Sequence, residues 1–329
     1  MTRGIIACVL AGAIWGGIFV GPRILPQYDA LTFSLARYLC FGVLSCLLFG
    51  WASWRAPPPR RWRPRRSDMT TAALLGLIGN VVYFVALVTA IQLTSIAYAS
   101  LIVGLLPVTT TLCADWQERR AGRPTLAFGR LLPPLVLIAA GVAAVNVDLL
   151  LDEASASRQS TASTLIGIIA AFIALAAWTA YALRNAQHVR AGHGQDSGEW
   201  ATLQGIGTLF WVVLVAAGWS LAAAATDSVP APHVFAAMTD SWFLAWSLYL
   251  GLGASWVGTA LWNYGARTLP ATLSGQMIVF ETLFALMYGF GLEARGPRPL
   301  EMLAIVGLLG GVVWASRLHT SPPPVGATP

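Results

Sequence analysis

Arg37 and Glu281 are the two ionisable side chains that lie well inside long apolar stretches of this chain. A charge at such a depth is costly, so it faces a cavity or another polar group. Arg37 sits roughly seven residues from the end of its stretch, about 10 Å deep at a helical rise of 1.5 Å per residue. Glu281 sits near the middle of its own. The two fit a helix-locking ion pair or hydrogen-bonded anchor. They also fit a site that meets the charged end of a small molecule, and Glu281 alone fits a proton-carrying group. Amides and aromatic rings recur around them at helical spacing. These are Asn80, Tyr83, Phe84 and Leu87; Tyr98 and Leu101; Gln204, Thr208 and Trp211; Trp256, Thr259 and Asn263; Gln276 and Phe280; and Trp15 with Ile18, matched by Trp178 with Tyr181. An apolar cavity with a few amides and hydroxyls suits a zwitterion with a bulky apolar side chain. Aromatic faces stack on an aromatic ligand and attract an ammonium. Taken singly, each of these residues fits ordinary packing between helices; the set is what points to a cavity.

The elements that hold these residues are long and apolar. The chain has 329 residues, 57% hydrophobic and 10% charged, with mean hydropathy +0.67. Water-soluble domains carry about 25% charged residues, so lipid must be the solvent for most of this surface. A spanning helix needs about 20 apolar residues. Stretches of that kind are expected at 4–21, 30–50, 70–91, 96–114, 127–147, 163–184, 200–224, 240–265, 271–292 and 300–317. Residues 51–68 and 185–199 read as polar connections, 148–162 as an exposed linker and 321–329 as a disordered tail. The first span has the outline of a signal peptide, but its apolar run is long and a copy of it lies inside the chain, so it is expected to be retained.

All the basic residues are arginines. If the first span starts inside, that side holds Arg3, Arg55, Arg60, Arg61, Arg63, Arg65, Arg66, Arg119, Arg120, Arg123, Arg130, Arg184, Arg190, Arg267 and Arg317. The other side holds Arg23, Arg158, Arg295 and Arg298. This asymmetry places both termini in the cytoplasm. The arginine cluster at 55–66 flanks a span and suits anionic lipid head groups rather than nucleic acid. Trp51, Trp54, Trp116, Trp200, Trp219, Trp242 and Trp314 fall near span ends and read as an interfacial belt. Gly12 and Gly16, Gly17 and Gly21, and Gly307 and Gly311 have the spacing of close helix packing. Cys8, Cys40, Cys46 and Cys113 read as packed thiols. His188, His193, His233 and His319 are expected in loops or tail, so no metal site and no cofactor is expected. There is no nucleophile elbow or phosphate-binding loop motif, and no enzyme activity is expected.

The chain also repeats itself. GIIACVLAGAIW (Gly4 to Trp15) returns as GIIAAFIALAAW (Gly167 to Trp178), and ERRAGRP (Glu118 to Pro124) returns as EARGPRP (Glu293 to Pro299). The first pair marks spans one and six, the second the ends of spans four and nine. Five is odd, so the second copy enters the membrane from the opposite side. Inverted repeats of this kind build many secondary transporters, with the substrate near the midplane.

In order and spacing, Trp15-Gly16, Arg37, Pro107 with Glu118, Gly141, Glu281, Glu293, and Gly307 to Gly311 resemble the drug/metabolite transporter superfamily, in its ten-helix EamA-type branch. The resemblance covers Gly4 to about Arg317 and is greatest to the bacterial aromatic amino-acid exporters. One departure is that Pro107 falls opposite Thr282, where the family pattern often has a second proline. The resemblance implies an all-α integral membrane fold with ten transmembrane helices, as two inverted five-helix repeats around a central cavity. Residues 1–150 would form the first repeat and 160–320 the second, with helices five and ten peripheral. It implies a bacterial inner-membrane protein that exports amino acids, aromatic and apolar ones first, by rocking of helices three and four against eight and nine. Export of another metabolite or drug-like compound and a non-transporting scaffold are the alternatives. The partners expected are a small molecule and the lipid bilayer; a monomer fits this layout, and the residues set no oligomeric state.

Overall fold

The computed structural model describes residues 1–25, 27–28, 30–55, 63–94, 99, 102–122, 127–154, 161–192, 195–226, 233–292 and 294–320. These residues fold into helices, with no strand among them. In chain order the segments are α1 (Thr2–Gly16), α2 (Ala30–Arg55), α3 (Arg66–Gly76, Leu77–Val82 and Tyr83–Leu93 in one run), α4 (Leu106–Arg120) and α5 (Phe128–Ala154). Then follow α6 (Thr161–Arg190), α7 (Ser197–Ala225), α8 (Ser241–Leu248, Tyr249–Val257 and Gly258–Thr268), α9 (Ala271–Gln276 and Val279–Leu292) and α10 (Pro299–Thr320). Among the described residues 7 helices, α2, α3 and α6 to α10, are long and apolar enough to cross a membrane; α1 and Phe128–Ala144 of α5 are shorter apolar helices. Phe172, Ile173, Phe210, Val213, Leu214 and Val306 point outward and are exposed. Lipid can cover such faces because the helices satisfy their own backbone groups.

Packing follows the glycines. Gly12 and Gly16 bring α1 onto α9: a Cβ on Gly12 would lie 2.7 Å from Phe280 Cβ, and one on Gly16 would lie 2.7 Å from the Ala285 backbone nitrogen. Gly307 and Gly311 do the same for α10 on α5, where a Cβ on Gly311 would lie 2.8 Å from the Pro134 carbonyl oxygen. α2 packs on α7 and on the middle of α8, the two ends of α3 pack on α7 and α6, and α4 packs on α6 and the first part of α9. Beyond each other, α5 meets α4 and α10 meets α9.

Three irregularities matter for position. Leu77–Val82 in α3 and Tyr249–Val257 in α8 are π-helical, a wider coil that re-aims side chains. α9 is interrupted between Gln276 and Val279. At the start of α8, Asp240 caps the helix through Trp242 and Phe243 and accepts a 3.0 Å hydrogen bond from the Tyr28 hydroxyl. That hydroxyl, then the Trp242 N–H, holds the half-buried Asp240 carboxyl below its usual value.

Some expectations are corrected here. α5 continues to Ala154, α6 runs from Thr161 to Arg190 and α10 from Pro299 to Thr320, so the residues expected to link α5 and α6 are partly helical, and His188 and His319 lie in helices rather than in a loop or tail. Trp200 is fully buried, not interfacial, whereas Trp51, Trp54, Trp116, Trp242 and Trp314 are exposed as expected. Cys46 is exposed while Cys8 is buried. Tyr98, Leu101, His193, Glu293 and the tail 321–329 lie outside the described residues.

Candidate functional site

The aromatic residues converge from four helices. Trp15 on α1, Trp178 on α6 and Trp262 on α8 meet with ring centroids 5.4 Å (Trp15 to Trp262), 6.0 Å (Trp178 to Trp262) and 6.4 Å (Trp15 to Trp178) apart. Tyr83 on α3 and Tyr181 on α6 reach the same Trp178 ring at 6.5 and 5.7 Å. Tilted and edge-on contacts at these distances are the favoured aromatic geometries. The Trp15 indole donates a 2.7 Å hydrogen bond to the Ala254 carbonyl, which fixes its ring against α8. Phe84 faces Tyr38 on α2 at 6.4 Å, and Phe280 packs against Gly12. These rings therefore pack against one another between the helices. A gap of about 20 Å³ lies beside Tyr38 and Phe84 and another of that size beside Trp262, each with room for one water.

Arg37 lies beside this cluster. Its Nε donates to Ser255 Oγ at 2.9 Å, one residue on from the carbonyl that holds Trp15, and its guanidinium lies 5.1 Å from the Tyr38 ring centre. Glu281, half-buried on α9, is close enough to feel the Arg37 charge. No ion pair within 4 Å joins the two among the described residues.

A layer of amides lies farther along α6. Asn185 is fully buried; its Oδ1 accepts from Trp200 Nε1 at 2.8 Å and Gln204 Nε2 at 2.9 Å, and its Nδ2 donates to Asn263 Oδ1 at 2.7 Å. Gln204 also reaches the Tyr181 hydroxyl at 3.4 Å. Asn80 donates to Thr208 Oγ1 at 2.7 Å, Trp256 donates to Thr202 Oγ1 at 3.0 Å, and Trp211 donates to the Ala73 carbonyl. Gln276 stands apart from this layer: it is fully buried, and both polar atoms of its side chain lack a partner among the described residues. Trp200 stacks on His188 at 3.8 Å, and His188 Nε2 lies 4.0 Å from Asp68 Oδ1 at the start of α3.

Of the residues expected from the sequence, the structure brings together Trp15, Tyr83, Trp178 and Tyr181, and separately Gln204 with Asn80 through Thr208. Trp256 packs against the same core and bonds to Thr202, while the sequence reading misses Trp262, Tyr38 and Asn185. Asn185 was findable: Tyr181, Asn185 and His188 continue one helical face past the expected end of the sixth span. Groups of three or more metal-ligating side chains do not occur among the described residues.

Residues 2–132 match the EamA-like transporter family. Over 331 aligned residues the chain is 34% identical to the inner membrane protein YtfF of Escherichia coli K12, covering 98% of each chain. It is 31% identical over 62 residues to an uncharacterized transporter of Haemophilus influenzae, covering 17% of this chain and 36% of that one. A protein of known crystal structure shares the fold with TM-score 0.66 at 15% identity, over 96% of this chain and 98% of that one. With a relative this similar along nearly its whole length, the chain belongs to the EamA-like transporter family of the drug/metabolite transporter superfamily.

Proposed function

We propose that this protein is a secondary transporter of a bacterial inner membrane that exports amino acids, aromatic and other apolar ones first, by alternating access. The observation that carries the reading is the meeting of Trp15, Tyr83, Trp178, Tyr181 and Trp262, from helices distant in sequence, beside Arg37 and Glu281. Aromatic faces next to a few polar groups suit an apolar amino acid. The inner-membrane assignment follows the relative from Escherichia coli.

In this proposal the chain has ten spans in two inverted repeats, 1–150 and 160–320, with both termini cytoplasmic and one chain framing the whole pathway. Support comes from pairings that exchange when every helix is shifted by five. The α3–α6 contact becomes α8–α1, α3–α7 becomes α8–α2, and α4–α6 becomes α9–α1; all of these occur. The spacing that separates Glu118 from Glu293 also separates Gly76 from Gly251 and Asn80 from Ser255. Both π-helical stretches fall in helices that the shift relates, α3 and α8. Opening and closing would come from α3 and α4 rocking against α8 and α9. Crosslinks that pin these pairs and leave transport intact would refute that motion.

Counterflow in proteoliposomes tests the function. Vesicles loaded with unlabelled Phe or Trp should take up labelled Phe, whereas a labelled nucleotide sugar or lipophilic cation should not enter. Uptake of another compound alone would overturn the amino-acid substrate, and no counterflow from folded protein would overturn transport.

A further inference from the structure

We infer that Arg37 and Glu281 are the two poles of a zwitterion site: Arg37 takes the carboxylate and Glu281 the ammonium of an α-amino acid whose side chain lies on the Trp15, Trp178 and Trp262 rings. This inference rests on the amino-acid reading above for its substrate.

Both charges lie half-buried within membrane-crossing helices, α2 and α9. A guanidinium has five N–H donors. Arg37 uses Nε on Ser255, and its two terminal nitrogens have no hydrogen-bond partner among the described residues. Glu281 lies opposite Gly12, and its carboxylate accepts no hydrogen bond among those residues. Unpaired charge in this setting is expensive. An arginine and a carboxylate built to lock two helices would close into a forked pair. Here the Ser255 bond ties the guanidinium to α8, and no ion pair within 4 Å joins the two groups among the described residues, although Glu281 lies near enough for the Arg37 charge to act on it. A bridging ligand needs such a gap, with a charge-assisted bond of about 2.8 Å at each end.

The choice of ligand follows from satisfying both poles. A carboxylate alone would leave Glu281 unpaired, and an amine alone would leave Arg37 unpaired, so each is penalised as well as less attracted. The position of the apolar end follows from neighbours: Ser255 adjoins Ala254, whose carbonyl holds the Trp15 indole, and Tyr83 touches Trp178.

The test uses the purified full chain in detergent and in proteoliposomes. Binding of labelled Phe is competed with Phe, phenethylamine, which lacks the carboxylate, and 3-phenylpropionate, which lacks the ammonium. The wild type should favour Phe over either analogue by roughly tenfold or more, since one charge-assisted hydrogen bond contributes about that much. Arg37→Gln should lose Phe and 3-phenylpropionate while leaving phenethylamine little changed. Glu281→Gln should lose Phe and phenethylamine and spare 3-phenylpropionate. Arg37→Lys should restore part of the Phe affinity. If a variant fails to fold, the wild-type analogue series decides. Equal binding of all three compounds, or variants that lose all three in proportion, would overturn the slot; Phe counterflow would then keep the export reading alive. The charge-matched pattern without any Phe counterflow would support the slot and refute export. No binding of Phe at all would overturn the slot.

Discussion

Two bridges cross the molecule at places that the five-helix shift relates. On one side Arg37 of α2 donates to Ser255 of α8; on the other Asn80 of α3 donates to Thr208 of α7. Each sits one helical turn from a glycine that lets the helices touch. A Cβ on Gly251 would lie 2.9 Å from the Arg37 carbonyl oxygen, and one on Gly76 would lie 3.0 Å from the Thr208 backbone nitrogen. Each bridge has one end in a π-helical stretch, Ser255 in the charged one and Asn80 in the neutral one. The backbone frame is shared, and the charge is not. Thr208 is fully buried, and its hydroxyl both accepts from Asn80 and donates to its own helix. The charged bridge keeps donors to spare. On the proposed inverted-repeat architecture, halves that move alike would share a frame, while a substrate with two unlike ends needs its partners in only one of them.

The largest effect is expected from moving the charge across. Thr208→Arg with Asn80→Ser puts an arginine at a fully buried position, and the spacing that relates Asn80 to Ser255 puts Leu106 where the other half has Glu281. A buried, uncompensated charge costs roughly 3–5 kcal/mol, so the double variant should melt far below the wild type or fail to accumulate in the membrane. A melt close to wild type would mean the two bridges are interchangeable and the asymmetry carries no information.

The reverse exchange, Arg37→Thr with Ser255→Asn, rebuilds the neutral bridge in the charged half. Folding should be little affected, because two buried hydrogen-bonding side chains replace two others. Phe counterflow should fall by roughly tenfold, about 1.4 kcal/mol. Unchanged counterflow would place the head-group contact elsewhere.

What was readable in the sequence follows the same division. Arg37 and Glu281 stood out because charge in an apolar run has few structural excuses, and Gly12 and Gly16 because their spacing has one common use. Helical, membrane-crossing architecture followed from the scarcity of charge. Trp262 and Trp200 did not stand out: indoles near span ends and indoles in a core have the same local sequence, and only tertiary contact separates them. The placing of Trp200 failed because Asn185, its partner, falls in a stretch whose polarity looked like a loop. In the folded chain that polarity is the inner face of a helix. The π-helical stretches had no readable signal either, since Gly79 or Gly251 alone serves equally for close packing.

Packing at the two glycines sharpens the comparison next. Gly251→Ala would drive a methyl into Cys40 and the Arg37 backbone, whereas Gly76→Ala meets mainly the Thr208 hydroxyl and its backbone. Overpacking of this kind costs about 1–3 kcal/mol. Both variants should melt lower than wild type, Gly251→Ala by more, because its methyl would meet the rigid Cβ of Cys40 more closely than that of Gly76→Ala meets any atom of Thr208. Equal losses in thermal melts would mean that α2 and α7 yield equally.

The smallest change is Asn80→Ala. It removes the donor of the neutral bridge but leaves the Thr208 hydroxyl donating to the Gln204 carbonyl, so only one acceptor position goes unfilled. The expected cost is about 1 kcal/mol, visible as a modest drop in melting temperature. Affinity for Phe, and its margin over phenethylamine and 3-phenylpropionate, should stay as in the wild type, because the poles that read the head group belong to the other bridge. If Asn80→Ala instead narrowed that margin, the amide would belong to the head-group site, and the division between a filled structural bridge and an open binding bridge would fail at its neutral half.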